Sequence, residues 1–138
     1  MDKIGIDTNV LVTALRSNRG ASFKLLQFVG TGKFAISLSV PLLIEYESVI
    51  KRKKFKHLID SDIDDVLNYL CKVADKRDIF FLWRPFLKDP KDDMILELAV
   101  EAGCQYIVTY NLDDFKEIQK FGISAITPKQ FLTKLRLL

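Results

Sequence analysis

The chain has 138 residues, 49% of them hydrophobic, 11% aromatic and 28% charged, which is the balance of one ordinary globular domain. At this length roughly two thirds of the unfolded surface can be buried, which excludes disorder, collagen-like repeats and a disulfide-held scaffold. Two widely separated cysteines, Cys71 and Cys104, and a single histidine, His57, exclude zinc fingers and histidine-based catalysis, while a net charge of +3 is too small to mark a nucleic-acid binder by itself.

In chain order, Lys3 to Ile6 is an apolar-rich strand ending at Asp7, and Thr8-Asn9-Val10-Leu11-Val12 starts a helix. Ala21 to Val29 is a second helix, stopped by Gly30 and Gly32. Phe34 to Leu38 is a strand. Ser39 then caps a helix with Pro41 in its first turn and an apolar stripe through Leu42, Leu43, Tyr46, Val49 and Ile50, running into the basic residues Lys51, Arg52, Lys53, Lys54 and Lys56. Asp60-Ser61-Asp62 opens another helix, with Ile63, Val66, Leu67, Leu70, Val73 and Ala74 at helical spacing.

Ile79 to Trp83 is expected as a strand, with Trp83 in the core, and Asp92 to Ala102 as a helix ended by Gly103. Tyr106 to Thr109 is the next strand, followed by a short helix around Asp114 to Gln119 and a strand over Ser124 to Ile126. Thr127-Pro128-Lys129-Gln130 starts the last helix with a capping-box pattern. Strands alternating with helices predict a single domain, an α/β/α sandwich around a mainly parallel sheet, because parallel neighbours need crossovers. Ligands in such sheets bind beyond the carboxyl ends of the strands, where the strand order reverses.

Recognised catalytic patterns are missing. Gly30-Thr31-Gly32-Lys33 lacks the flanking residues of a phosphate-binding loop, and neither a dinucleotide fingerprint nor a nucleophile elbow occurs. What remains is carboxylates. Asp7 follows a strand and serves equally as helix cap or ligand. Glu45 and Glu47 flank one apolar stripe, and periodicity does not choose between them. Asp89-Pro90-Lys91-Asp92-Asp93 opens a helix with more acid than capping needs, and Asn111, Asp113 and Asp114 follow a strand. Acids gathered at one edge repel, and a divalent cation with oxygen ligands resolves that repulsion, favouring Mg²⁺ or Mn²⁺ over zinc.

These pieces, in this order, resemble the PIN-domain family, specifically the toxin-like branch of prokaryotic toxin-antitoxin ribonucleases. The resemblance runs through Asp7 to Val12, Ser39 to Glu45, Asp89 to Asp93 with Leu98-Ala99, Ile107 to Phe115, and Thr127-Pro128 with Phe131, essentially the whole chain. It implies a PIN-like domain over residues 1–138 that hydrolyses RNA phosphodiester bonds with Mg²⁺ or Mn²⁺. Asp7, Glu45, Asp92 and Asp114 would be catalytic and bind metal, Asp93 and Asn111 would add metal contacts, and Thr8 and Asn9 would support the ligands by hydrogen bonds. Many members carry Asp two residues after the strand-end Thr, where this chain has Asn111, so the charge passes to Asp114 and leaves Asp113 as cap or surface.

The basic residues Lys51, Arg52, Lys53 and Lys54 are candidates to track an RNA backbone, with an exposed helix end as the alternative. The resemblance also implies a cognate antitoxin and a homodimer. Charges in the amino terminus and the lack of a long apolar run point to a cytoplasmic protein with reduced thiols and no membrane association. Two other readings compete: a noncatalytic binding protein of the same fold, and an aspartate-based phosphoryl-transfer domain. The second is disfavoured because Asn9 stands where a haloacid-dehalogenase-like phosphatase would carry its second Asp.

Overall fold

The computed structural model describes residues 1–79, 87 and 89–138, with Pro90 and Lys91 described by their backbone alone. Among the described residues, five strands form one parallel sheet: β1 (Lys3–Ile6), β2 (Ala35–Leu38), β3 (Asp75–Lys76), β4 (Tyr106–Val108) and β5 (Ser124–Ile126), in the order β3-β2-β1-β4-β5. The intervening helices are α1 (Thr8–Arg16), α2 (Ala21–Phe28), α3 (Val40–Arg52), α4 (Asp60–Val73), α5 (Pro90–Ala102) and α6 (Pro128–Lys134), with a 3₁₀ segment over Leu112–Phe121. The helices flank the sheet, giving the α/β/α architecture expected from the alternation of elements.

The chain leaves β1 toward β2 on one side and later returns to place β4 on the other, so the strand order reverses between β1 and β4. That reversal opens a crevice at the carboxyl ends of those two strands. Strand cores are apolar because both faces are covered: Ile4, Ile6, Ile36, Leu38, Ile107 and Val108 are all buried. Gly5 lets α5 approach the central strand closely: a Cβ there would stand 3.3 Å from Ile95 Cγ1 of α5, tight enough that the Ile95 side chain would have to give by a few tenths of an ångström. On α6, Phe131 packs edge-on against Phe34 with ring centroids 5.3 Å apart.

The expected caps are present. Ser39 Oγ accepts from Leu42 N at 3.3 Å, and Thr127 and Gln130 exchange reciprocal hydrogen bonds of 3.1 and 3.0 Å. Gly30 and Gly32 follow α2 with φ of 81° and 89°, the left-handed conformation that ends a helix without a Cβ penalty.

Three boundaries differ from expectation. α5 starts at Pro90 rather than Asp92, because Asp92 N already bonds Asp89 O at 2.9 Å and proline is tolerated in a first turn. The segment after β4 is a kinked 3₁₀ turn longer than the helix expected over Asp114 to Gln119. β3 was not anticipated: it is two charged residues on the sheet edge, with no apolar alternation to betray it. Of the strand expected over Ile79 to Trp83, Phe80 to Trp83 lie outside the described residues, as does the expected core position of Trp83, and Ile79 belongs to no element.

Tyr46 joins α3 to the central strand. Its side chain is 3% exposed and its hydroxyl donates to the Ile6 carbonyl, which extends past the β1–β2 pairing. Tyr46→Phe leaves that buried carbonyl without its donor and should cost about 1–3 kcal/mol of stability. Urea unfolding with an unchanged slope and a lowered midpoint is the expected result.

Candidate active site

The site begins with Asp7, which closes β1 and caps α1. Its backbone N–H bonds Val108 O of β4 at 2.9 Å, so the residue is stitched into the crevice wall. One carboxylate oxygen accepts from Thr8 N at 2.8 Å and the other from the Thr109 hydroxyl at 2.7 Å. Thr109 is itself fully buried, and its Oγ1 accepts from Asn111 N at 3.0 Å. Cap and site roles therefore coincide: one oxygen serves the helix, the other is aimed by Thr109. Burial pushes the Asp7 carboxyl up from its ordinary pKa, the Thr109 and Thr8 hydrogen bonds oppose that, and the charges of Asp114 and Asp89 add to it.

Around Asp7 lies a cleft of about 140 Å³. Thr8 and Asn9 reach it from α1, Glu45 from α3, Asp89 and Asp92 from the start of α5, and Asn111 from the turn after β4, over an apolar floor of Leu42 and Ile95. The Asp92 carboxyl is pushed up to about 7, first by burial and then by Asp7, Asp89, Asp114 and Asp93. Asn9 also lines the cleft, and its Oδ1 is buried without a hydrogen-bond partner among the described residues. An orphaned acceptor beside mutually repelling carboxylates is a donor set of oxygens alone, which fits a hard divalent cation. Among the described residues, no three His, Cys, Asp or Glu side chains are already drawn together as ligands.

The candidate residues divide clearly. Glu45 faces the cleft, whereas Glu47 is exposed and paired with Lys51 at 3.2 Å. Asp114 is exposed on the 3₁₀ turn, yet its charge reaches both Asp7 and Asp92. Asp113 points away, its side chain 91% exposed and 3.4 Å from Lys116. Asp93 is fully buried and does not line the cleft; its Oδ1 accepts from Leu87 N at 2.9 Å, which makes it an anchor for the chain entering α5. In the basic run, Lys51 is bound to Asp64 at 2.7 Å as well as to Glu47, and Arg52 Nε donates to Ser48 O, while Lys53 and Lys54 are exposed.

Two participants escaped the residue-level reading. Asp89 was visible only as one acid of a cluster, although its place before Pro90 marks it as the cap of α5. Thr109 carried no charge to draw attention, yet a hydroxyl at the end of a strand beside the switch point is the signal that would have found it.

The family model described as PIN domain matches residues 3–113. The chain belongs to the PIN domain family. Members of this family are generally nucleases that use divalent metal ions. No curated protein matches the sequence. Among solved structures, a chain of VapBC2 from Rickettsia felis, in a crystal structure bound to a DNA fragment from their promoter, is similar to this PIN domain in fold. The TM-score is 0.63 at 15% identity, covering 91% of this chain and 98% of that one. No described helix is long and apolar enough to cross a membrane.

The raised Asp92 pKa has a stability consequence. The folded protein holds that proton more tightly than the unfolded chain, so between the ordinary Asp value of about 3.9 and about 7 the metal-free fold loses stability as pH rises. Without divalent cations, Tm should fall by a few degrees between about pH 5 and about pH 8. Asp92→Asn should flatten that decline and raise Tm at the upper end. Mn²⁺ should raise the wild-type Tm more at the upper pH than at the lower, because it binds the ionised form. Thermal melts across pH, with and without Mn²⁺, measure all three.

Proposed function

We propose that this PIN domain is an endoribonuclease that hydrolyses RNA phosphodiester bonds with Mg²⁺ or Mn²⁺, and that it is the toxin of a toxin-antitoxin pair. The observation that carries the nuclease reading is the convergence of Asp7, Glu45, Asp89 and Asp92 from separate parts of the chain on one cleft, with the Asn9 oxygen orphaned beside them. Asp7, Glu45, Asp92 and Asp114 would hold the cation, with Asn111 offering a neutral oxygen. Held by these residues, a divalent cation would supply Lewis acidity for activating water and for stabilising the charge that develops on the phosphoryl and leaving oxygens.

The protein's own contribution is orientation and charge. Thr109 and Thr8 fix both oxygens of Asp7, so the ligand need not be ordered when the cation arrives. Asp92, pushed up to about 7 in the metal-free site, would give up its proton as the cation binds, so it serves as a ligand rather than a proton carrier. Asp93 serves by keeping the start of α5 in place rather than as a metal contact. Arg52, Lys53 and Lys54 remain the better candidates for backbone contacts, since Lys51 is committed to Asp64 and Glu47. The fold shared with a chain of the Rickettsia felis VapBC2 complex supports a cognate antitoxin as partner. A homodimer working in the cytoplasm completes the reading.

Asp7→Asn keeps the size and the capping ability of the residue and removes the ligand charge. Mn²⁺-dependent RNA cleavage should drop by at least about 100-fold, the upper end of what losing a mere supporting hydrogen bond costs, with the circular dichroism spectrum unchanged. Thr109→Val, which removes the supporting bond alone, should lower it by about 10- to 100-fold. Asp113→Ala should have no effect. A folded Asp7→Asn protein that cleaves like the wild type would count against the whole assignment, and a wild-type protein inert toward every RNA would favour a noncatalytic binding role.

A further inference from the structure

The acidic cleft has an aromatic neighbour that the proposed chemistry leaves unused. Tyr110 stands between Thr109, which aims Asp7, and Asn111, which lines the cleft. With consecutive Cα atoms 3.8 Å apart, its backbone shares the carboxyl edge of the sheet with the site. The side chain is 43% exposed, yet its hydroxyl is hydrogen-bonded to that of Ser22, a residue of α2 with 1% exposure. The ring is thus pinned at its tip and open along its side. Tyr69 shows the same construction, 44% exposed with its hydroxyl bonded to Val29 O at 2.9 Å, but it lies beside Gly30 ahead of β2, at the opposite edge. Of the two, Tyr110 is the one whose backbone adjoins the cleft, between Thr109 and Asn111.

A cation held by the carboxylates would draw in a phosphodiester but has no grip on a base, so fixing the nucleotide beside the cleft calls for a contact that does not depend on phosphate charge. Aromatic faces provide that by stacking on bases, which every sequence offers. A ring already fixed by Ser22 has little freedom left to lose when a base settles on it.

We propose that Tyr110 is a stacking platform for a nucleobase of the single strand whose phosphodiester enters the cleft, held in place by Ser22. This rests on the nuclease reading above. Its test is fluorescence anisotropy with Ca²⁺ as the cation, comparing a short uridine oligoribonucleotide with an abasic strand of equal length. Tyr110→Ala should weaken binding of the uridine strand by about 5- to 150-fold and leave the abasic strand unchanged. Tyr110→Phe, which keeps the ring, should stay within a few-fold of the wild type. Ser22→Ala, which frees the ring, should fall between them. Mn²⁺ affinity by calorimetry should be unaltered in all three. If Tyr110→Ala binds the uridine strand like the wild type, or weakens both strands equally, the platform is wrong while the nuclease reading stands. If the wild-type protein binds neither strand, the platform is wrong, and the nuclease reading is decided by the cleavage assay above.

Discussion

The hydrogen bond from the Thr109 hydroxyl to the Asp7 carboxylate joins the ends of β1 and β4 at the point where the strand order reverses. A carboxylate taken out of water needs partners, and Asp7 has two, one from α1 and one from β4. Each does a second task. Thr8 N is an orphan donor of a helix start, satisfied by the cap, and Thr109 Oγ1 in turn accepts from Asn111 N, which fixes the turn carrying Asn111 and Asp114. One half-buried carboxylate therefore sets the relation between the first helix, the central strand pair and the segment that completes the acidic cleft.

Asp92 and Asn9 stand in a different position. Asp92 is held near neutrality by burial and by its neighbours, and Asn9 Oδ1 has no partner among the described residues. A fold selected for stability alone would not place these groups together; local conflict of this kind is expected where a site must receive something of opposite charge. The contrast with Asp93 is instructive. It is adjacent to Asp92 and more deeply buried, yet a helix turns by roughly 100° per residue and so directs it to the Leu87 N–H instead of the cleft.

How far the sequence disclosed this depended on whether a feature was local. The apolar strands of the sheet centre and the caps at Ser39 and Thr127 follow from short-range pattern and appear where expected. The β3 edge strand does not, because Asp75 and Lys76 pair through backbone groups that no side-chain pattern records. The acid after β4 is a similar case. Adjacent Asp113 and Asp114 must diverge, which is legible, but which one turns toward Asp7 depends on a 3₁₀ turn with a kink at Phe115. The family resemblance, not the residue pattern, favoured Asp114, whose charge reaches Asp7 and Asp92.

Glu45 and Glu47 show the limit most plainly. Both flank the buried stripe of α3 through Leu42, Tyr46 and Ile50, and a hydrophobic period gives the axis of that stripe without saying which flank meets another element. The choice is made at long range. Tyr46 reaches the Ile6 carbonyl one residue before Asp7, which places the Glu45 flank at the cleft. On the other flank Lys51 draws Glu47 and Asp64 together, linking α3 to α4. The same lysine that looked available to a phosphate backbone is thereby occupied in holding the helix pair, and the cation-rich end of α3 is partly a structural joint. Site and scaffold in this domain are separated by less than one helical turn, and only the contacts across the fold tell them apart.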